Sequence, residues 1–342
     1  MSNVTLDMIA TQLGVSKFAV SRALSGKPGV SEKTRRSIIA VAEQLGYRIP
    51  RLKSGDGRSI DVILHDRNVA NRELWGDVQH GIEAEASRWG LAMAVRWTGD
   101  HRIVSRVERS TIGFVLVGPH DAEMHKAVRC SRRPAVTVNH RVPPLDGMDQ
   151  VTATDVEAGE FVADFLLGLG HRRMVYVHGQ ADYPDREARL YGFARTVAGR
   201  DDASAREMIF EYDEETSAFR SSLITMVDDG FVPTAFFCGS DGVAVTVVSE
   251  LVRMGLRVPD DVSVVGHADD PIASQISPKL TTLHTPYRQM GLTAVRLLLS
   301  RAGLILPVAD PTPVRVSLVP HLVARQTSGP PGPGSWHSRL RR

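Results

Sequence analysis

Within one six-residue run, Lys17 to Arg22, three side chains have the chemistry to read the edges of base pairs. Arg22 can fork onto the O6 and N7 of a guanine, Lys17 can reach a guanine or a phosphate, and Phe18 offers an apolar face to a thymine methyl. Thr5, Ser16, Ser21, Ser25 and Ser31 supply hydroxyls suited to phosphate oxygens, contacts that position a protein on a duplex without specifying sequence. Leu6, beside Thr5, belongs to the same expected DNA-facing set, although it also starts an apolar stripe. The plain alternative is a three-helix bundle with a polar face, and an exposed phenylalanine on a basic helix counts against it.

These side chains need rigid supports, and the local sequence predicts three short helices. Thr5 caps a helix with Leu6, Ile9, Ala10 and Leu13 on one face, and Gly14 ends it. Ser16 caps the second, in which Ala19, Val20, Ala23 and Leu24 turn inward while Lys17, Phe18, Ser21 and Arg22 turn outward. After the SGKPG turn, Ser31 caps a third helix, Glu32 to Leu45, with Gly46 as its stop. A second helix held in this way lies in a major groove. Charge agrees: the first 58 residues hold 10 Lys/Arg against 4 Asp/Glu, whereas the remainder holds 31 against 35, so positive charge collects where phosphates would be met.

The run VTLDMIATQLGVSKFAVSRALSGKPGVSEKTRRSIIAVAEQLGY resembles the headpiece of the LacI/GalR family without a break from Val4 to Tyr47. The resemblance implies a helix-turn-helix that binds double-stranded operator DNA, followed by a hinge helix whose leucine wedges into the minor groove. Here the hinge reads YRIPRLKSGDGRS. Leu52 is the candidate wedge, but it stands about one helical turn early and Pro50 precedes Arg51, so the hinge is read as shortened and Leu52 equally as a plain linker residue.

From Ile60 onward, apolar runs of strand length alternate with helical patterns, the signature of parallel sheets flanked by helices. Strands are expected at IDVIL, LAMAVRW, IGFVLVG, PAVTVN, MVYVHG, MIFEY, AFFCG and VSVVGH. The segments GLGHRRMVYVHG, REARLYGF, SDGVAVTVVSELVRMGLRVPDDVSVVGHADD and SPKLTTLHTPYRQMG resemble the effector-binding core of LacI/GalR proteins, which is similar to periplasmic sugar-binding proteins. The expected fold is therefore an all-α helix-turn-helix headpiece plus an α/β periplasmic-binding-protein-like domain of two parallel-sheet lobes, with a ligand cleft beyond the carboxyl ends of the strands. The resemblance assigns effector contact to Arg189, three residues before a Gly-aromatic pair, and to Ser240 and Asp241 and the Gly266 to Asp269 loop. Ser240 replaces an asparagine, and Ala268 replaces an acidic residue that would accept a hydrogen bond, so an ordinary hexose bound in the ordinary way is not expected. Arg189, Asp241 and Asp269 supply a fork and carboxylates able to hold hydroxyls or an amine, and His65, Asp66 and Asp155 are candidates to join them. The same residue types also make structural ion pairs and helix caps, and both roles stay open. The short segment TGDHRIVSRVERST leaves room for only a truncated crossover helix.

The expected organisation is 1–47 headpiece, 48–59 shortened hinge, 60–326 two-lobed effector and dimerisation domain, and 327–342 a disordered Pro/Gly-rich tail. No nucleotide-binding Gly-Lys-Ser/Thr loop, His-Glu-x-x-His motif or nucleophile elbow occurs, so no catalytic residue, metal or cofactor is expected. No apolar stretch is long enough to span a membrane, and only Cys130 and Cys238 are present, read as core thiols of a cytoplasmic protein. The expected partners are operator DNA, a small-molecule effector and a second copy of the chain in a homodimer, possibly a tetramer. Inducer against corepressor stays open. So do a regulator without effector response, a transport-associated receptor that kept the two lobes, and an enzyme acting on a sugar or nucleoside.

Overall fold

Three short helices open the chain, α1 (Leu6–Leu13), α2 (Lys17–Leu24) and α3 (Glu32–Gln44). The computed structural model describes residues 5–24, 30–45, 59–65, 72–140, 142–143, 146–179, 184–209, 217–305, 312–332 and 336–339. Ser25, Leu52, Asp66 and most of the expected hinge therefore lie outside the described residues. Gly14 ends α1 in the left-handed conformation (φ 64°) that only glycine adopts cheaply, and its N–H bonds the Ala10 and Thr11 carbonyls. Ile9, Ala10, Val20, Ala23, Ile38 and Ala42 form the miniature core.

Two six-stranded sheets follow. The first lobe is built from β1 (Ser59–Leu64), α4 (Arg72–Arg88), β2 (Ala92–Trp97), α5 (Ile103–Val107), β3 (Thr111–Val117), α6 (Ala122–Cys130), β4 (Ala135–Val138) and β5 (Asp149–Ala153). The second contains α7 (Asp155–Gly168), β6 (Arg173–Val177), α8 (Pro184–Ala198), β7 (Ser204–Met208), α9 (Ser217–Asp228), β8 (Ala235–Cys238), α10 (Asp241–Arg253), β9 (Ser263–Ala268), α11 (Pro271–Gln275) and β10 (Thr281–His284). The chain then returns to the first lobe with α12 (Tyr287–Arg301) and β11 (Arg315–Leu318), and closes the second with β12 (His321–Val323). Sheet orders are β11-β5-β4-β3-β1-β2 and β12-β10-β9-β8-β6-β7, every pairing parallel except β10 with β12. The lobes are thus joined by three short crossings, at Thr154, Thr285–Pro286 and Val319–Pro320.

Several details differ from the sequence reading. The strand expected at MIFEY is β7, four residues earlier, because an edge strand with exposed Ser204, Arg206 and Glu207 lacks an apolar signal. The crossover helix α5 has five residues, as the short segment suggested. Cys130 is exposed at the end of α6, and only Cys238 is a core thiol.

The tail is the largest correction. Thr327 exchanges backbone bonds with β9 (Val264 N to Thr327 O, 2.7 Å), Gly329 O accepts from Ser263 Oγ at 3.0 Å, and Trp336 sits 1% exposed in the second lobe's core. The Pro/Gly composition resembles disorder, but prolines restrict the chain and one tryptophan carries a large apolar area. Replacing Trp336 with alanine should cost about 3–5 kcal/mol of stability by chemical denaturation. A loss under about 0.5 kcal/mol would return the tail to a surface appendage.

Candidate functional site

Helix α2 presents the expected reading face. Phe18 is 68% exposed, and the Arg22 guanidinium carbon lies 5.2 Å from its ring centroid, a cation–π contact that holds both side chains on the outer face. Lys17 Nζ is 2.7 Å from Asp7 Oδ2, with both side chains about 60% exposed, a pair weak enough to open toward a phosphate. Thr5 Oγ1 accepts from Met8 N (3.3 Å), Ser16 Oγ from Ala19 N (3.1 Å) and Ser31 Oγ from Thr34 N (3.2 Å). Capping uses a lone pair, so the Thr5 and Ser16 hydroxyl protons remain for phosphate oxygens. Ser21 is exposed, whereas Leu6 packs against the miniature core and is turned from the DNA-facing group.

The second site is built by a close helix crossing. A Cβ on Gly159 of α7 would overlap the carbonyl oxygen of Arg189 on α8, and one on Gly192 would overlap the carbonyl oxygen of Val156. Backbone therefore meets backbone, and the first residue of α7, Asp155, comes against Arg189. Arg189 Nη1 donates to Asp155 Oδ1 and Nη2 to the Gly239 carbonyl at 3.2 Å, in surroundings where both side chains are about 93% buried or more. Burial disfavours the Arg189 charge, but Asp155 outweighs it and pushes the guanidinium above its ordinary range. Its Nε is buried without a hydrogen-bond partner, a donor turned to whatever occupies the cleft. Tyr287, first residue of α12 in the other lobe, lies within the field of Arg189 and Asp155, which places this pair at the junction of the lobes.

The remaining candidates separate from it. Ser240 Oγ caps α10 by accepting from Val243 N at 3.4 Å. Asp241 is wholly buried, accepting from Thr282 Oγ1 (2.5 Å) and Asp270 N (2.7 Å), and Gly266 leaves room where any Cβ would overlap Oδ1. Burial raises its carboxyl to about 6 despite those bonds. Asp269, left-handed at φ 64°, binds Arg325 Nη2 at 2.6 Å and His284 Nδ1 at 3.1 Å, tying the segments beside two crossings.

Facing the cleft from the first lobe is a group that sequence reading noted only in pieces. His65 follows β1, His120 follows β3, His140 follows β4, and His125 stands on α6. The rings of His65 and His120 are 6.1 Å apart, those of His125 and His140 5.3 Å. His120 Nε2 bonds the Ile63 carbonyl at 3.1 Å, while its Nδ1, both nitrogens of His125 and Nδ1 of His140 are buried without partners. Burial lowers His120 to about 3 and His140 to about 4, so these imidazoles are neutral near pH 7. Among the described residues no three His, Cys, Asp or Glu side chains are arranged to hold a metal. The signal was available: each of three histidines falls within three residues of a strand's carboxyl end, as do Ser240 and Asp269.

Residues 5–49 match the family model for bacterial regulatory proteins of the lacI family, and residues 163–328 match a periplasmic binding protein-like domain. The chain is 30% identical over 346 residues to the HTH-type transcriptional regulator MalR of Streptomyces coelicolor, covering 95% of this chain and 96% of that protein. It is 27% identical over 308 residues to the HTH-type transcriptional repressor PurR of Aliivibrio salmonicida, covering 87% and 92%. Its fold matches the structure of the transcriptional regulator CelR in complex with cellobiose, at TM-score 0.68 and 24% identity over 95% of this chain and 100% of that one.

The buried imidazoles make stability pH-dependent. An unfolded histidine takes up its proton near pH 6.5, whereas His120, His140 and His171 (also lowered by burial, to about 4) cannot do so while folded. Their contribution is complete above about pH 6.5 and is lost as the pH falls toward 4. Asp241 acts oppositely, its contribution present at low pH and lost as pH rises through about 6, but three groups outweigh one. The melting temperature should therefore fall steadily from pH 7 to pH 4.5, less steeply for His120→Gln, and a flat wild-type profile would contradict this account of the cluster.

Proposed function

Because the chain belongs to the lacI family of bacterial regulatory proteins, we propose that it is a sequence-specific DNA-binding repressor whose operator affinity is set by a small polar effector held between its lobes. The observation that carries this reading is the outer face of α2, where an exposed Phe18 and its stacked Arg22 stand on a helix capped at both the turn and its own start. Arg22, Lys17 and Phe18 specify the operator, and the hydroxyls of Thr5, Ser16, Ser21, Ser25 and Ser31 position the duplex. The protein works as a homodimer, one headpiece per half-site of a roughly palindromic operator, in the cytoplasm and at the nucleoid when bound. It acts by binding and carries out no turnover.

On the effector side, Arg189 and Asp155 line the second lobe and His65, His120 and His140 the first. Asp241, Ser240 and Asp269 act through position: Asp241 and Ser240 fix the start of α10, and Asp269 fixes the crossings. CelR was solved with cellobiose, and a hydroxylated ligand suits unpaired neutral imidazole nitrogens and a spare guanidinium N–H here as well. The engagement of Asp241 and Asp269 within the protein also favours a second reading, a repressor that has lost effector response.

Selection of duplexes from a random library should enrich a two-fold symmetric site, and Arg22→Ala should cost about 1–3 kcal/mol at one guanine of each half-site. Failure to enrich any site would remove the DNA-binding reading. In a metabolite panel read by thermal shift, a hydroxylated ligand should stabilise the wild type and not Arg189→Ala, and should change operator affinity about 5- to 150-fold. Operator affinity untouched by every ligand would favour the second reading.

A further inference from the structure

The edge of the first lobe opposite the cleft carries a chemistry that neither site uses. Strands β1, β3, β4, β5 and β11 are parallel neighbours, so their first residues, Ser59, Thr111, Ala135, Asp149 and Arg315, share one edge. The loops feeding that edge hold Arg109, Arg132 and Arg133, which are exposed, as is Arg315. None of these four guanidiniums is paired with a carboxylate: Arg133 Nε donates to the Glu108 carbonyl at 2.8 Å and Arg315 Nη2 to the Pro143 carbonyl at 3.4 Å. The neighbouring carboxylates are largely consumed, Asp149 by Arg301 (2.7 Å) and Asp146 by Arg129 (2.5 Å), which leaves Glu108 as the nearby opposing charge.

Two further observations point outward. The edge is concave there, with a pocket of about 360 Å³ lined by Arg129, Arg132, Arg133, Asp149 and Arg301. Arg132 also holds a left-handed backbone, φ 56°, at the position after α6 where glycine or asparagine would be unstrained. Keeping an arginine there costs backbone energy, and strain of this kind is retained where the side chain has a use. Cations at a helix C-terminus do stabilise the helix, so stability must be read separately from binding.

The headpiece is tethered to this same edge. Only residues 46–58 separate α3 with its terminal Leu45 from β1, a tether that spans at most about 45 Å. A duplex gripped by α2 is thus confined to the neighbourhood of the arginines, and its phosphates are the complementary charge. We propose that Arg109, Arg132, Arg133 and Arg315 form a second, sequence-independent contact with the phosphate backbone of bound DNA. The contact rests on the DNA-binding reading above. It adds affinity without specificity and lies where the shortened hinge brings the core domain toward the duplex.

The test uses full-length protein and its selected operator, with binding measured as a function of potassium chloride concentration. Each phosphate contact adds about 0.9 to the slope of log affinity against log salt. Arg132→Ala/Arg133→Ala should make that slope shallower by about 2 and weaken operator and scrambled duplexes by the same factor, with the melting temperature within a few degrees of wild type. Arg109→Ala/Arg315→Ala provides the same readout from the opposite ends of the edge should the first variant fail to fold. An unchanged slope, in a protein whose operator binding still depends on Arg22, overturns the second contact alone. Absence of any duplex binding by the wild type overturns both readings. A variant that binds DNA normally but loses stabilisation by inorganic phosphate would assign the pocket to a small anion and overturn the DNA contact.

Discussion

The crossing of α7 and α8 is the constraint on which the interior of the effector half depends. Helices packed through ordinary side chains lie 8–10 Å apart, and at that spacing Asp155 and Arg189 would each need a longer reach to meet. Glycines at 159 and 192 let each backbone press on a carbonyl of the other, so the ion pair closes in the space freed. A buried pair is costly to form and more costly to break, roughly 3–5 kcal/mol when one partner is removed. Its position matters as much as its strength. Asp155 immediately follows Thr154, the first of the three crossings, so any movement of one lobe against the other is felt at the carboxylate that holds Arg189. The first lobe repeats the device: Gly81 of α4 and Gly291 of α12 meet backbone to backbone, and α12 begins with Tyr287 at the same junction.

A parallel sheet has two unlike ends, and this protein puts different chemistry on each. At the carboxyl ends of the first lobe's strands stand neutral imidazoles, buried and short of hydrogen-bond partners. At the amino ends stand guanidiniums, exposed and short of carboxylates. The first set suits an uncharged polar molecule enclosed away from water, where an unsatisfied nitrogen costs about 1–3 kcal/mol until something meets it. The second suits a polyanion met in solvent, where charge acts over about a Debye length. Because all these strands run the same way, one sheet keeps the two partners on opposite edges and couples them through its rigidity.

The headpiece was legible because its signals are local. A threonine or serine three residues before the N–H it caps, and a glycine at a left-handed position, need no distant partner to act. The α/β alternation was legible for the same reason, except at β7, where exposure on a sheet edge removes the apolar pattern. Arg189 could be picked out, and the glycine three residues on proves to be the reason it lies where it does. Ser240, Asp241 and Asp269 were visible as polar residues after strands, but whether each turns to the cleft or into the protein depends on partners 29 to 56 residues away, such as Asp270, Thr282 and Arg325. Composition misled at the tail, since the burial of Trp336 depends on a groove formed by α9, α10 and β9 that no window around residue 336 contains.

Those positional roles bear on how a ligand could be sensed. Asp241 fixes the start of α10 to β10 through Thr282 and to the loop after β9 through Asp270. Asp269 carries the connection on to His284, next to the second crossing, and to Arg325, just past the third. Arg189 reaches the carbonyl of Gly239, one residue before the α10 cap, and Asp155 beside the first crossing. All three crossings therefore connect through a short chain of hydrogen bonds that ends at Arg189. A ligand need not touch Asp241 or Asp269 to be felt there. By satisfying the spare N–H of Arg189 in one arrangement of the lobes better than in another, it biases that arrangement by its difference in binding free energy and by no more than that. The headpieces hang from the first lobe, so the same bias sets their separation, and with it the fit to two half-sites.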